Sequence, residues 1–158
     1  MRRDDLIPAV TLLVAVILVF GASYNYGFMC WDDGINITEN PYINPPSLRN
    51  LPVFWDKPYK HLYIPVTYTV WLSLSFIGRF LYAVEPGSAG PAAHPFHAAN
   101  LILHALNSVL AYLIVLRLLQ AQGGERRSRP LHWAALGGAL VFALHPLQTE
   151  PVCWVTGM

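Results

Sequence analysis

Three long stretches without a charged side chain set the strongest limit on how this sequence can fold. No Asp, Glu, Lys or Arg occurs in residues 6–31, 86–116 or 130–149, and each stretch contains an apolar run close to the ~20 residues that span a bilayer as a helix. Only 12% of the 158 residues are charged, against ~25% in a soluble globular domain. The sequence therefore predicts an all-α polytopic membrane protein.

Composition excludes two other classes of protein. Ten Lys and Arg face nine Asp and Glu, so the basic excess of a nucleic-acid-binding protein is missing and we expect no nucleic-acid partner. The 54% hydrophobic content is the opposite of what intrinsic disorder requires. Cys30 and Cys153 have neither metal-ligand nor redox spacing, so we assign no metal site and no disulfide framework.

The positive residues predict how the chain is threaded through the membrane. The Arg-rich loop at residues 120–130 should share the cytoplasmic side with Arg2 and Arg3, so an even number of crossings must separate them. The expected crossings are residues 6–28, 96–119 and 131–150, the last continuing past Pro146. A cleaved signal peptide is the alternative for the first apolar run, but we favour an uncleaved anchor with a cytoplasmic N-terminus.

A fourth apolar stretch, residues 63–84, complicates the number of crossings. If it crossed, the Arg-rich loop would lie outside, so we expect an interfacial or re-entrant helix within a long outer loop at residues 30–95. The aromatic side chains expected at the membrane surface are Trp71, Phe76, Phe80 and Tyr82. Arg79 can then extend to water. The alternative is a true crossing that tolerates Arg79.

Two adjacent carboxylates, Asp32 and Asp33, follow Trp31 at the outer end of the first crossing. Paired carboxylates suit a site in which one is a general base and the other orients it, or in which oxygen ligands hold a divalent cation. The alternative is a solvated helix terminus, since acidic side chains are common just outside a span.

Polar residues on the second predicted crossing recur at helical spacing. His97, Asn100, His104 and Asn107 are separated by 3, 4 and 3 residues, which places them on one stripe. For the deeper pair, His104 and Asn107, hydrogen bonding between helices is the favoured interpretation. We expect His97 to lie near the outer surface, where it can reach a ligand.

Further candidates for binding lie on the same outer side. His145 and Glu150 follow the third crossing, at a point where Pro146 opens the helix and frees backbone groups for a polar site. Lys60 and His61 belong to a modest basic group that can meet an anionic lipid phosphate, with surface solvation as the alternative. Asn36 begins an N-glycosylation pattern that also arises by chance.

These residues lie in four short motifs. They are WDDGINITENPYI at residues 31–43, YIPVT at 63–67, FHAANLILHALN at 96–107 and HPLQTEPVCW at 145–154. In this order the motifs resemble the N-terminal part of the TMTC-like proteins. Those are multi-spanning glycosyltransferases of the GT-C superfamily that often carry C-terminal tetratricopeptide repeats.

The resemblance implies a GT-C-like fold and inverting transfer of a sugar, typically mannose, from polyprenyl phosphate to a protein hydroxyl on the non-cytoplasmic side. Asp32 matches the position of the family's base, with Asp33 as its neighbour. His145 is the first candidate to bind the donor phosphate. The other candidates for binding donor or substrate are Lys60, His61, His97 and Glu150. The implied partners are a polyprenyl-phosphate sugar, an acceptor protein and membrane lipid, and a divalent cation stays open.

The family's pattern continues with an Arg-Lys pair and many more helices, which this sequence lacks. We therefore expect an N-terminal fragment, a truncated product or one half of a split enzyme, completed by the remaining helices or by a partner subunit. Two other functions stay open: a non-enzymatic membrane scaffold or assembly subunit packed through the polar stripe, and a transporter component. The expected location is the bacterial inner membrane or, in a eukaryote, the endoplasmic reticulum.

Overall fold

The computed structural model describes residues 3–82, 90–122 and 129–157, most of which are helical. Their α-helices are α1 (Arg3–Phe20), α2 (Leu51–Asp56), α3 (Pro65–Leu81), α4 (His94–Ala121), α5 (Arg129–Ala143) and α6 (Thr149–Cys153). A π-helix covers Gly34–Thr38, and short 3-10 helices and turns complete the chain. These described ranges contain no β-strand, and the predicted all-α class is confirmed for them.

Two helical segments, Leu6–Asn25 and His94–Ala121, are long and apolar enough to cross a membrane. At 1.5 Å per residue the 28 residues of α4 extend over ~42 Å, more than the ~30 Å hydrocarbon core. They correspond to the predicted crossings at residues 6–28 and 96–119. Which side each end faces stays a prediction, because Arg2 and most of the Arg-rich loop lie outside the described residues.

The third predicted crossing, residues 131–150, is broken into two helices. Helix α5 and the segment Pro146–Cys153 meet at an angle of 53°, and together they are long and apolar enough to form one bent span. Pro146 lacks a backbone N–H and so cannot continue the helix. The His145 Nδ1 atom instead accepts a hydrogen bond from the Leu147 N–H at 3.2 Å, which begins a new 3-10 turn.

Helices α1, α4 and α5 pack into one apolar core. Helices α4 and α5 run antiparallel, since His104 lies against Ala143 at one end and Tyr112 against His132 at the other. Ala135, Ala139 and Ala143 face the core at every fourth position, and such small side chains let two helices approach closely. Helix α1 contributes its buried side chains Leu12, Val16 and Phe20 to this core.

A second core joins the long outer segment to α3. Its buried members are Ile37, Ile43, Phe54, Tyr68, Trp71, Phe96 and Val155. Side-chain hydrogen bonds fix α3 to this segment, among them Tyr68 Oη to Asn36 Oδ1, Ser75 Oγ to the Ile43 carbonyl and Arg79 Nη2 to Asn44 Oδ1. Because α3 has 17 residues, it extends over ~26 Å, which is less than the hydrocarbon core.

The structure corrects two expectations for α3. Trp71 is buried in the second core and does not lie at a surface, because the loop folds back over that side of the helix. Arg79 does not extend freely into water, since its guanidinium donates to Asn44 at 2.8 Å. Phe80, in contrast, is 86% exposed, and Ile77 and Leu81 are exposed beside it. The apolar surface of α3 is therefore confined to the side away from the loop.

Labelling of single cysteines tests the predicted threading. An impermeant maleimide added from the non-cytoplasmic side should label Cys30, which is exposed, in a chain where Cys153 is replaced by Ser. It should not label a cysteine introduced at Ser128, in the Arg-rich loop beyond the described residues. Labelling at that position from the outside would mean that residues 63–84 cross the membrane.

Candidate functional site

The two adjacent carboxylates of the first outer loop have opposite environments. The Asp33 side chain is completely buried, whereas Asp32 is exposed. Asp33 Oδ2 accepts a hydrogen bond from the Met29 N–H at 2.8 Å, and this closes a tight loop over residues 29–33. Cys30, Trp31 and Asp32 form the exposed tip of that loop. Asp33 is thus a buried anchor that presents Asp32 to solvent.

The second oxygen of Asp33 binds a distant part of the chain. Asp33 Oδ1 accepts hydrogen bonds from the Thr156 N–H at 3.1 Å and from the Thr156 hydroxyl at 2.9 Å, across 123 residues of sequence. All three of its donors are neutral, and hydrogen bonds to an ionised acceptor are the stronger kind. Sequence analysis missed Thr156, because nothing in its neighbourhood marks it as a partner for a carboxylate.

The polar stripe of α4 holds the broken third segment in place. Asn100 Nδ2 donates to the Trp154 carbonyl at 2.7 Å, and His104 Nε2 lies 2.9 Å from the Ala143 carbonyl. Both side chains are buried, whereas Asn107 is exposed at the edge of the stripe. Hydrogen bonding between helices, the interpretation favoured from sequence, describes His104 but not Asn107 among the contacts of the described residues.

His97 lies in the interior, not near the outer surface where we expected it. The side chain is 1% exposed, and the Tyr26 ring packs edge-on against it. Among the described residues neither ring nitrogen has a hydrogen-bond partner of good geometry. His97 is therefore enclosed, as Asp33 is, and a ligand at the surface would not reach it in this conformation.

His145 and Glu150 are both exposed beyond the break after α5. Since His145 Nδ1 accepts the Leu147 N–H, the proton of a neutral ring resides on Nε2. That nitrogen is then a donor suited to a phosphate oxygen. Within the described part of the chain, no hydrogen bond joins His145 or Glu150 to Asp32.

Lys60 and His61 occupy the centre of a strained two-residue turn. Their φ angles are 45° and 71°, and the backbones of Tyr59 and Leu62 exchange hydrogen bonds of 3.0 and 2.8 Å across the turn. This arrangement is typical of a type I′ turn, which favours Asn and Gly and not basic residues. Both side chains are exposed. Tyr59 Oη donates to the Ile35 carbonyl at 3.4 Å, so the base of the turn touches the segment that follows Asp33.

Buried hydroxyl and amide groups stabilise the outer segment that follows Asp33. Burial raises the pKa of Tyr68 to about 12, so its hydroxyl stays protonated and donates to Asn36 Oδ1 at 2.8 Å. Asn36 is itself buried, which puts the N-glycosylation pattern of residues 36–38 out of reach in the folded chain. Asn36 has a structural role instead, as the acceptor of the Tyr68 hydroxyl.

The described residues hold no group of three or more His, Cys, Asp or Glu placed to bind a metal ion. The acidic and basic candidates divide instead into two sets. Asp33 and His97 are buried together. Asp32, His145, Glu150, Lys60 and His61 are exposed, and no hydrogen bond within the described residues connects the members of this exposed set.

Comparison with known proteins gives one informative relative. The chain is 30% identical to the protein O-mannosyl-transferase Tmtc3 of Drosophila melanogaster over an alignment of 170 residues, which covers 98% of this chain and 17% of that protein. The chain thus spans 17% of the length of this curated relative. No protein-family model matches the chain, and no solved structure matches it significantly. The similarity supports a distant relationship to TMTC-like proteins.

Proposed function

We propose that this chain forms the outer, donor-binding part of a membrane glycosyltransferase. In this proposal a sugar, mannose by analogy with the relative, passes from a polyprenyl-phosphate carrier to a Ser or Thr hydroxyl of an acceptor protein. The observation that carries the proposal is the pair Asp32 and Asp33: a buried carboxylate holds the loop while its neighbour is free to exchange a proton with a ligand. The distant similarity to an O-mannosyltransferase supports the same reaction.

Asp32 is the proposed general base. The acceptor hydroxyl attacks the anomeric carbon from the side opposite the carrier phosphate, and Asp32 takes its proton. A bond forms between the acceptor oxygen and the anomeric carbon while the bond from that carbon to the phosphate oxygen breaks, which inverts the configuration. A positioned base of this kind accelerates proton transfer by typically ~10²–10⁴-fold.

The carrier phosphate gains negative charge as it leaves and needs donors around it. Lys60, His61 and the Nε2 atom of His145 are the proposed donors, since all three side chains are exposed. Glu150 is proposed to accept hydrogen bonds from sugar hydroxyls. Because the chain corresponds to 17% of its relative, further helices from a longer protein or a partner subunit are proposed to enclose the lipid and the acceptor.

A direct transfer assay tests this proposal. The longest gene product that contains the sequence is expressed in membranes and supplied with dolichyl-phosphate mannose carrying a labelled sugar and with a Ser- and Thr-rich acceptor protein. We expect label in the acceptor, removable by base-catalysed elimination as an O-linked sugar is. Absence of transfer to any hydroxyl acceptor from mannose, glucose or galactose carriers would count against the proposal.

Replacing Lys60 and His61 with the residues that a type I′ turn prefers tests their proposed contact with the donor phosphate. The double substitution Lys60→Asn and His61→Gly keeps a type I′ turn but removes both basic side chains. Losing hydrogen bonds to a phosphate whose negative charge grows as it leaves should lower kcat/KM for the lipid donor about tenfold, with a fall in kcat. Lys57→Gln, which removes a neighbouring exposed charge, is the matched control. An equal effect of both changes would indicate general electrostatics and no specific contact.

A further inference from the structure

Trp31 combines an exposed side chain with a strained backbone. Its side chain is 78% exposed, although Trp is among the residues that gain most from burial. Its φ angle is 100°, a left-handed conformation that costs an L-residue with a bulky side chain of order 1–3 kcal/mol. A glycine would adopt this backbone without that cost.

The conformation of Trp31 is imposed by its surroundings. On one side the Met29 N–H donates to Asp33 Oδ2 at 2.8 Å, and on the other the Ile35 N–H donates to the Trp31 carbonyl at 3.3 Å. The Trp154 ring lies 6.2 Å from the Trp31 ring at a tilt of 57°. The backbone of Trp31 is therefore held while its ring stays open to a ligand, directly beside the exposed Asp32 carboxylate.

We propose that Trp31 is a platform on which the pyranose ring of the transferred sugar stacks, a role that rests on the proposed function. One face of a pyranose presents C–H groups and its rim presents hydroxyls. An aromatic face suits the first, and a neighbouring carboxylate accepts hydrogen bonds from the second. In this proposal the stacked sugar lies with its anomeric carbon near Asp32, the next residue on the exposed loop tip.

Anchoring in the membrane surface fits this tip less well. Interfacial Trp side chains are usual at the ends of crossings, but a Trp that only anchors has no need of an exposed carboxylate next to its ring. Two other exposed Trp side chains lack this combination. Trp55 donates its indole N–H to Thr69 Oγ1, and Trp133 lies on α5 among apolar residues. Trp31 thus combines an open ring, a fixed backbone and a carboxylate.

The platform is tested by measuring, with saturation-transfer NMR, how tightly methyl β-D-mannopyranoside binds to the full chain in detergent. Trp31→Leu should weaken binding about tenfold, as loss of an aromatic contact does, whereas Trp31→Tyr should weaken it less than about threefold. Trp31→Gly also removes the ring but accepts the left-handed backbone, so its loss of binding cannot come from backbone strain. Trp133→Leu is the matched control and should bind as the wild type does.

The proposal is overturned if the wild-type chain binds no mannoside or if Trp31→Leu binds it unchanged. It is also overturned if Trp31→Leu weakens only the partition of the chain into vesicles of phosphatidylcholine and phosphatidylserine. The platform and the proposed transferase fail separately. If Trp31→Leu loses mannoside binding while Asp32→Asn keeps full transfer, the platform stands and the proposed base falls. If Asp32→Asn alone abolishes transfer and Trp31→Leu leaves the donor KM unchanged, the platform falls alone.

Discussion

Asp32→Asn should reduce sugar transfer by ~10²–10⁴-fold, the contribution typical of a general base, and leave the fold unchanged. The amide has nearly the same shape as the carboxylate but cannot take the proton of the acceptor hydroxyl. Because Asp32 is exposed and Asp33 alone closes the loop, no contact that stabilises the loop is lost. The measurement is kcat for labelled sugar transfer, together with the thermal unfolding midpoint of the variant.

Asp56→Asn provides the control for that experiment. Asp56 is another exposed carboxylate of the same outer segment, at the end of α2, so its removal changes the net charge equally. We expect transfer by this variant to equal that of the wild type. Wild-type activity in Asp32→Asn would remove Asp32 from the mechanism, and equal losses in both variants would assign the effect to charge and not to proton transfer.

Asp33→Ala should unfold the outer region at a temperature where the wild type is stable. The substitution leaves the Met29 N–H, the Thr156 N–H and the Thr156 hydroxyl without their acceptor. Hydrogen bonds to a charged group contribute ~1.5–3 kcal/mol each, and partly buried donors left unpaired add a smaller penalty, so we expect a loss of about 3 kcal/mol in unfolding free energy. The half-buried Cys153 thiol should become reactive to a maleimide at a correspondingly lower temperature.

A substitution of Thr156 tests whether its hydroxyl and the Asp33 carboxylate stabilise the same contact. Thr156→Val removes the hydroxyl donor but keeps the backbone N–H, so about 1 kcal/mol should be lost. When Asp33→Ala is already present, Thr156→Val should cost almost nothing, because the acceptor is gone. Independent, additive losses would show that Asp33 and Thr156 do not stabilise the same contact in solution.

The long elements of the fold follow from local patterns in the sequence. The apolar runs that become α1 and α4 have the length of a membrane span, and the break after α5 occurs where Pro146 removes a backbone donor. These features are determined by residues that are close together in the sequence, so they can be predicted from the sequence alone. The helix expected within residues 63–84 likewise appears as α3 (Pro65–Leu81), and its interfacial position stays a prediction.

Contacts between distant residues could not be predicted in the same way. Asp33 meets Thr156 across 123 positions, and no periodicity links two such residues. Trp71 is buried because the outer segment covers it, although its helix alone suggests a surface residue. The stripe on α4 predicted polar contacts, but which of its members become buried depends on where α1 and α5 pack. His97 is enclosed and Asn107 is not.

The hydrogen bonds from α4 to the broken third segment bear on how the protein is made. A helix interrupted by Pro146 leaves carbonyl groups that hydrocarbon cannot satisfy. One such carbonyl, at Ala143, is met by His104, and Asn100 donates to the Trp154 carbonyl beyond the end of α6. If the segment entered a bilayer alone, the Ala143 carbonyl would lose this partner. Helices α4 and α5 should therefore leave the translocation machinery together as a hairpin, so a polar residue lost from α4 would first appear as failed insertion of the helix that follows it.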